Sequence, residues 1–459
     1  MSTGAGTTVF AEQALLPDGW AENVLVSVSE NGSISAVARG QAPAGERTGI
    51  LLPAPVNLHS HAFQRAMAGM SEQRGEGGHD SFWTWRQIMF RFLDALDPDD
   101  VEAIATFVQM EMLEAGYAAV GEFHYLHHQP GGVPYDHLAE LSVRIVAAAS
   151  ASGIGLTHLP VLYQYGGVDQ RALGPGQIRF GNDPDRFARL HEQVADALKA
   201  LDGDAVLGVA PHSLRAVSES GLASAVGLAG TRPLHMHLAE QVGEVEEVAG
   251  ARGSRPVAWL LDSHDVSSNW CLIHCTQMLP EETLGLANTG AVAGLCPITE
   301  SSLGDGIFDG VRYLQAGGRF GIGSDSNIRI SLSEELRTLE YSQRLRDKSR
   351  AAVATPEKST GRVLFEGAVS GGAQAAGRNA GSIAEGCFAD LLALDATAID
   401  LDGREGDEIL DAFIFAGDDR MVCDVWSAGR HVVRGGKHVK GDAIRAAYRA
   451  TMTRLRNRL

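Results

Sequence analysis

"VNLHSHAFQRAMAG", residues Val56 to Gly69, places two histidines one residue apart at the end of an apolar run, "GILLPAPVNL" from Gly49 to Leu58. On a β-strand, positions i and i+2 face the same way, so His59 and His61 project together if this run is a strand. Their Cα atoms would then stand about 6–7 Å apart by the usual strand rise. Two neutral imidazoles that close suit one shared metal ion. A polar loop that holds two histidines by chance is the competing reading. The spacing alone does not choose, so the rest of the chain must.

Beyond this stretch, from about residue 53 to 370, short apolar runs alternate with helical segments. The runs include "YAAVGEFHY", "IGLTHLPVLY", "AVLGVAPHS", "RPLHMHLAE", "WCLIHCTQM", "GAVAGLCPIT" and "GRFGIGSDSN". Between them lie helix patterns such as "DPDRFARLHEQVADALKAL" and "SEELRTLEYSQRLRDK". Repeated β-then-α units over roughly 300 residues predict an α/β barrel or a doubly wound sheet. No G-x-G-x-x-G opens a helix and no phosphate-loop motif occurs, which weakens a nucleotide-binding reading. The two chain ends read differently. "TTVFAEQALL" and "NVLVSVSENGSISAVA" are strand-like, with "SENGS" a hairpin turn, and strand character returns in "AGSIAEGCFADLLALD" and "MVCDVWSAGRHVVRGGKHV". We therefore expect a small β-sandwich built from residues 1–52 and 375–440, flanking an α/β unit over 53–374. The segment "GDAIRAAYRATMTRLRNRL" (441–459) reads as a solvated surface helix with an arginine-rich face. "SEQRGEGGHD" (Ser71 to Asp80) reads as a mobile loop near the first strand end.

Bulk properties narrow the function classes. The chain has 459 residues, 44% hydrophobic and 21% charged, which is ordinary for a soluble globular protein. No apolar run approaches the roughly 20 residues that span a bilayer. The N-terminal sequence has no basic segment followed by an apolar core, so no signal peptide is expected. Five cysteines without a C-x-x-C fit reduced thiols in a cytoplasmic enzyme. The net charge of −19 disfavours nucleic acid and anionic membrane as partners, and it repels small anions at long range. An anionic substrate would need local arginines, which bind carboxylates bidentately.

Many of the apolar runs end in polar or ionisable residues: Glu122, His124 and Tyr125; His212 and Arg215; His235, His237 and Glu240; His274; Asp325. Any one could be a satisfied core or loop residue. In a parallel barrel, however, catalytic groups gather at the C-terminal ends of different strands. Five such endings in register with the H-x-H are hard to read as packing.

These motifs resemble the amidohydrolase superfamily, and within it the mononuclear-metal deaminases. The likeness runs over essentially the whole chain: His59 and His61, the H-x-x-E of His237 and Glu240, the single His274, the S-D at Asp325, and "GSIAEGCFADLLALD" as the return strand into a flanking sandwich. The resemblance implies a (β/α)8 barrel in which His59, His61, His237 and Asp325 hold one divalent metal, zinc before iron or manganese. It also implies that Glu240 and His274 act as acid/base and polarising groups, with Asp325 accepting a proton from water. Such a set of nitrogen and oxygen ligands with an open position is what a catalytic zinc site needs. Binuclear relatives bridge two metals with a carboxylated lysine on the fourth strand. Here no lysine lies between Lys199 and Lys348, although Glu122 could bridge instead.

A narrower likeness rests on "VNLHSHAFQRAMAG", "SFWTWRQIMF", "EFHYLHH" and "APHSLRAVS", which resemble the formimidoylglutamate deiminases. It implies hydrolysis of N-formimino-L-glutamate, a small dianion, to N-formyl-L-glutamate and ammonia in histidine degradation, by a homodimer. Arg86 and Arg215 are then the expected carboxylate partners. Gln64, Tyr125 and His212 are further substrate contacts, while Trp83 and Trp85 pack the loop. Two other readings stay open: a deaminase of a purine or other heteroaromatic ring on the same metal site, and a metal-free barrel acting as a scaffold.

Overall fold

The computed structural model describes residues 7–72 and 82–458, with the side chains of 82–84 excluded. Most of the glycine-rich segment read as a loop, and the Trp83 side chain, lie outside the described residues. Between Val56 and Ile322 the strands run parallel to their neighbours and form two sheets. One joins Val56–Ser60, Ala119–His124, Gly155–Leu162, Val206–Leu207 and Ala210–Pro211. The other joins Leu234–Leu238, Trp270–His274, Val292–Leu295 and Arg319–Ile322. Single parallel bridges connect them, Val209 to Leu234 and Ser213 to His237 on one side, Ser60 to Asp325 on the other. These strands are buried along their whole length because both faces are covered, as parallel sheets require.

The seam between the first and last strands sets the geometry of the site. His61 N–H donates to Asp325 O and Asp325 N–H to His59 O, each at 2.9 Å. Gly323 permits this approach, since a Cβ there would sit 2.7 Å from His59 Cβ and 2.8 Å from its backbone nitrogen. A buried polar relay locks the same seam. Asn57 Nδ2 donates to Ser324 Oγ (2.7 Å), Ser324 Oγ to Asn327 Oδ1 (2.6 Å) and Asn327 Nδ2 to Ser60 Oγ (3.1 Å). In the low-dielectric interior such a satisfied network fixes one arrangement.

Strands from both chain ends form one hydrogen-bonded sheet of eight. Its order is Lys437–His438, Arg430–Arg434, Val422–Ser427, Leu391–Leu394, Glu46–Pro53, Thr7–Leu16, Gly19–Val28, Ile34–Ala38. Its period-2 alternation serves two cores. Leu51, Leu391 and Ala393 bury against Val9, Val24, Val26 and Trp426. Leu52, Leu392 and Leu394 bury into the main core with the α/β unit. Arg378 ties the parts together, donating to both oxygens of Asp390 (2.6 and 3.0 Å) and to Asp204 Oδ2 (2.9 Å).

The C-terminal helix, Gly441–Arg456, differs from the expectation of a solvated surface helix. Tyr448 stacks on Phe107 at 3.9 Å between ring centroids, and Leu455 is buried. Arg445 pairs with Glu114 at 2.6 Å, and Arg454 and Arg458 reach the buried Asp100 at 3.0 and 2.8 Å. The arginine-rich face is a docking face because the helix Pro98–Glu114 beneath it is acidic at both ends.

Candidate active site

Tyr125, His212, Arg215, His237, Glu240, His274 and Asp325 converge from the strand ends, with His61, on one pocket of about 540 Å³, counted to its open mouth. The ligand atoms of His59, His61, His237 and Asp325 all lie within 4.8 Å of one another, and all four residues are buried. His59 Nε2 stands 3.1 Å from His237 Nε2, and His61 Nε2 stands 3.2 Å from Asp325 Oδ1. As the sequence predicts, the two rings of the H-x-H lie together, with centroids 4.7 Å apart.

Whether a cation fits can be decided from the hydrogen atoms. His61 Nδ1 faces Phe123 O at 3.0 Å and His237 Nδ1 faces His212 O at 3.1 Å. A carbonyl only accepts, so both Nδ1 atoms carry the proton and each neutral ring turns a bare Nε2 lone pair inward. Burial holds His237 well below the ordinary imidazole range and lowers His59 to about 3, so both are neutral. Burial would raise the Asp325 carboxyl, yet it lies well below the ordinary carboxylate range and is ionised, with the charged His274 also facing it. Lone pairs and an anion converging at about 3 Å repel unless a cation lies among them. The donor set fits a divalent metal.

Beside this set stand the residues expected to move protons. Glu240 Oε1 is 3.9 Å from His274 Nε2, whose other contact is Asp325 Oδ2 at 3.8 Å. Burial raises the Glu240 carboxyl above its ordinary value, while His274 and Arg215 pull it back. Burial opposes a charged His274, yet Glu240, Glu300 and Asp325 together lift it to about 10. His274 and Asp325 owe their aim to the backbone. Ala239, His274, Cys275 and Asp325 all adopt left-handed φ, between 46° and 72°. Non-glycine residues rarely do so, and clusters of them mark functional sites.

The expected substrate contacts also line the pocket: Gln64, Arg86, Tyr125, His212 and Arg215. Gln64 Nε2 donates to Tyr125 OH at 2.8 Å, which leaves Gln64 Oε1 buried without a partner among the described residues. Arg215 Nη2 is 3.9 Å from Glu240 Oε2. Trp85 lines the pocket rather than only packing its loop, because the helix Phe82–Ala95 turns that side chain towards the mouth. Glu122 stands outside the four-ligand cluster. Its Oε1 accepts from Ala62 N–H at 2.8 Å and so braces the turn after His61. His124 lies among the buried His127 and His158 instead of in the pocket, and His235 Nε2 donates to Ala375 O as a core residue. An Nε2 facing a carbonyl must be the donor, so His235 is held by that backbone contact, while its Nδ1 is buried without a partner among the described residues.

Some pocket residues were not among the predicted ones: Met89, Tyr163, Phe180 and Leu303. Tyr163 directly follows the strand Gly155–Leu162, the same strand-end signal that marks the others. Glu300 holds His274 from behind, with Oε1 3.2 Å from Nδ1 and 2.8 Å from the Cys296 N–H it also accepts.

Residues 50–432 match the amidohydrolase family. The chain belongs to the amidohydrolase family. Residues 6–49 match the N-terminal domain of the formimidoylglutamate deiminase HutF. The formimidoylglutamate deiminase of Pseudomonas aeruginosa is 47% identical over 446 residues, 96% of this amidohydrolase and 98% of that protein. A 5-methylthioadenosine/S-adenosylhomocysteine deaminase of Natronomonas pharaonis is 28% identical over 392 residues, 81% and 79% of the two chains. The crystal structure of an amidohydrolase from Brucella melitensis superposes with TM-score 0.94 at 48% identity, covering 98% of this chain and 99% of that one. An adenosine deaminase from Xanthomonas campestris with bound zinc shares the fold, with TM-score 0.82 at 23% identity and 98% of each chain covered. The family comprises hydrolases that use a divalent metal, in agreement with the donor set above. Among the described residues of this amidohydrolase, no helix is long and apolar enough to cross a membrane.

Proposed function

We propose that this amidohydrolase hydrolyses N-formimino-L-glutamate to N-formyl-L-glutamate and ammonia, a step of histidine degradation. One observation carries the reading: a single pocket holds the metal-ligand set, the Glu240–His274 pair and two arginines, Arg86 and Arg215. The match of the N-terminal residues and the 47% identical relative support the same substrate.

His59, His61, His237 and Asp325 would hold one divalent ion, zinc in our reading, which when bound supplies Lewis-acid activation of water and of the formimino group. The chain's own residues do the rest. Asp325, ionised and facing both imidazoles and His274, accepts a proton from water. Glu240, whose raised affinity for a proton suits a carrier, delivers one to the imino nitrogen. Water oxygen bonds to the formimino carbon, the carbon–nitrogen bond to that imino nitrogen breaks, and ammonia leaves. His274, held by Glu300, donates from Nε2 toward the developing charge. Gln64 Oε1 accepts a substrate N–H, and Tyr125 and His212 wall the same side. Arg86 and Arg215 grip the two carboxylates and offset the repulsion of a net charge of −19.

Arg215→Met tests the substrate. Hydrogen bonds to charged groups contribute roughly 1.5–3 kcal/mol each, so kcat/KM on N-formimino-L-glutamate is expected to fall roughly ten- to more than a hundredfold. Arg86→Met should act similarly. Metal content should stay constant, and a neutral formamidine without carboxylates should be turned over as before. Equal losses on the neutral compound would mean that the arginines support the fold or the metal. A ring deaminase, the other reading of this metal site, has no use for two pocket arginines.

The wider architecture follows the same reading. We take the two parallel sheets as a (β/α)8 barrel over 53–374. The terminal sheet, with apolar cores on both faces, then folds over as a small β-sandwich from 1–52 and 375–440, with the C-terminal helix at 441–459. A homodimer in the cytoplasm is the companion expectation, and five cysteines free of disulfides agree with that compartment.

A further inference from the structure

Among the described residues, the Tyr163 hydroxyl has no acceptor for its proton. Its hydroxyl oxygen receives two hydrogen bonds, from Arg86 Nη2 at 2.8 Å and from Gln177 Nε2 at 2.9 Å. The orientation of Gln177 is fixed, because its Oε1 accepts the Gly174 N–H at 3.0 Å. A guanidinium has no acceptor, and an amide nitrogen only donates. Both lone-pair sites of the phenol are therefore filled, and neither contact uses the phenolic hydrogen. Among the described residues no acceptor for that hydrogen stands within hydrogen-bond distance. Tyr163 is only 2% exposed, and a buried donor left unmade is costly. The residue lines the pocket beside His212, with ring centroids 4.5 Å apart, so the open direction for the proton is the pocket itself.

We propose that Tyr163 donates this proton to a carboxylate of the substrate and, with Arg86 held by it and by Gln177 behind it, forms a dedicated carboxylate subsite. The inference rests on the N-formimino-L-glutamate reading above. The chemistry favours an anion over a neutral acceptor. A phenol that already accepts from a cation and from an amide is polarised so that the hydrogen bond it donates is strengthened. The adjoining guanidinium supplies a second, charge-assisted donor for the other carboxylate oxygen. Tyr163 also pins Arg86 before substrate arrives, which lowers the ordering cost of binding. The role is that of a specificity residue at the substrate's far end, away from the metal-ligand set.

The test uses metal-loaded wild type, Tyr163→Phe, Arg86→Met and the double variant. Ammonia release is measured from N-formimino-L-glutamate and from N-propylformamidine, which lacks carboxylates. Tyr163→Phe removes one oxygen and keeps the ring. Its kcat/KM on the dianion is expected to fall about ten- to a hundredfold, mostly through KM, with metal content unchanged and the neutral compound affected less than about threefold. In the double variant, a further fall of several-fold beyond Arg86→Met is expected, because a direct donor adds its own contact. Kinetics of the double variant equal to those of Arg86→Met would show that Tyr163 acts only through the arginine, and would overturn the proposal. So would an unchanged KM in Tyr163→Phe, or an equal loss on both compounds. Wild type that releases ammonia from the neutral formamidine but not from the dianion would instead overturn the substrate reading on which the subsite depends.

Discussion

Removing the metal is expected to abolish ammonia release, and restoring a divalent ion is expected to bring it back. The count of lone pairs at the donor set requires it. His61 and His237 each commit Nδ1–H to a backbone carbonyl, so their Nε2 atoms can only accept. They face the ionised Asp325 and the neutral His59 at 3.1–3.2 Å. An ion relieves that repulsion and gives the pocket its Lewis acid, whereas the stripped protein has neither. Elemental analysis of active protein should give about one divalent ion per chain, the number one tetrahedral-type donor set accommodates. Metal should also raise Tm, since a ligand at about a thousand times its Kd stabilises the folded state by about 4 kcal/mol. Full activity in metal-free protein would sink the hypothesis. Two tightly bound ions per chain would reject the mononuclear version and reopen a bridging role for Glu122.

Glu240→Gln should keep its metal and lose roughly 10²–10⁴-fold in kcat, the usual contribution of a positioned general acid or base. Glutamine has nearly the same shape and still fits between Arg215 and His274, but it cannot take up and hand on a proton. Two observations support Glu240 as the proposed carrier. It is buried beside His274, and burial raises its proton affinity while Arg215 and His274 keep the ionised form accessible. Its KM should move little, because in the proposed binding mode the two arginines and not Glu240 hold the carboxylates. Turnover near wild type with metal bound would move the proton transfer to another group.

Much of the site was legible because it follows from strand geometry. An H-x-H after an apolar run, and ionisable residues at the ends of later runs, mark one rim of a parallel sheet before any coordinates exist. Tyr163 carried the same mark, but a tyrosine closing a strand is as easily read as packing. Its role shows only once Arg86 and Gln177, 77 and 14 residues away in the chain, both point at one oxygen. Glu300 gave no local signal at all, since its partner His274 lies 26 residues upstream. The left-handed backbone at Ala239, His274 and Asp325 defies residue preference, and tertiary packing imposes it. The C-terminal helix departs from its sequence expectation for a related reason. Its arginines look solvated until the buried Asp100 and the half-buried Glu114 of another helix are placed beneath them. The order of the terminal sheet, with Glu46–Pro53 between Thr7–Leu16 and Leu391–Leu394, joins segments far apart in the chain, and periodicity carries no information on such pairing.

Ammonia release by the metal-loaded protein, measured side by side on N-formimino-L-glutamate, guanine and adenosine-type compounds, tests the account most directly. Turnover of N-formimino-L-glutamate is expected, with N-formyl-L-glutamate formed in step with ammonia, and no release from the purines. Release from a purine with none from N-formimino-L-glutamate would contradict it.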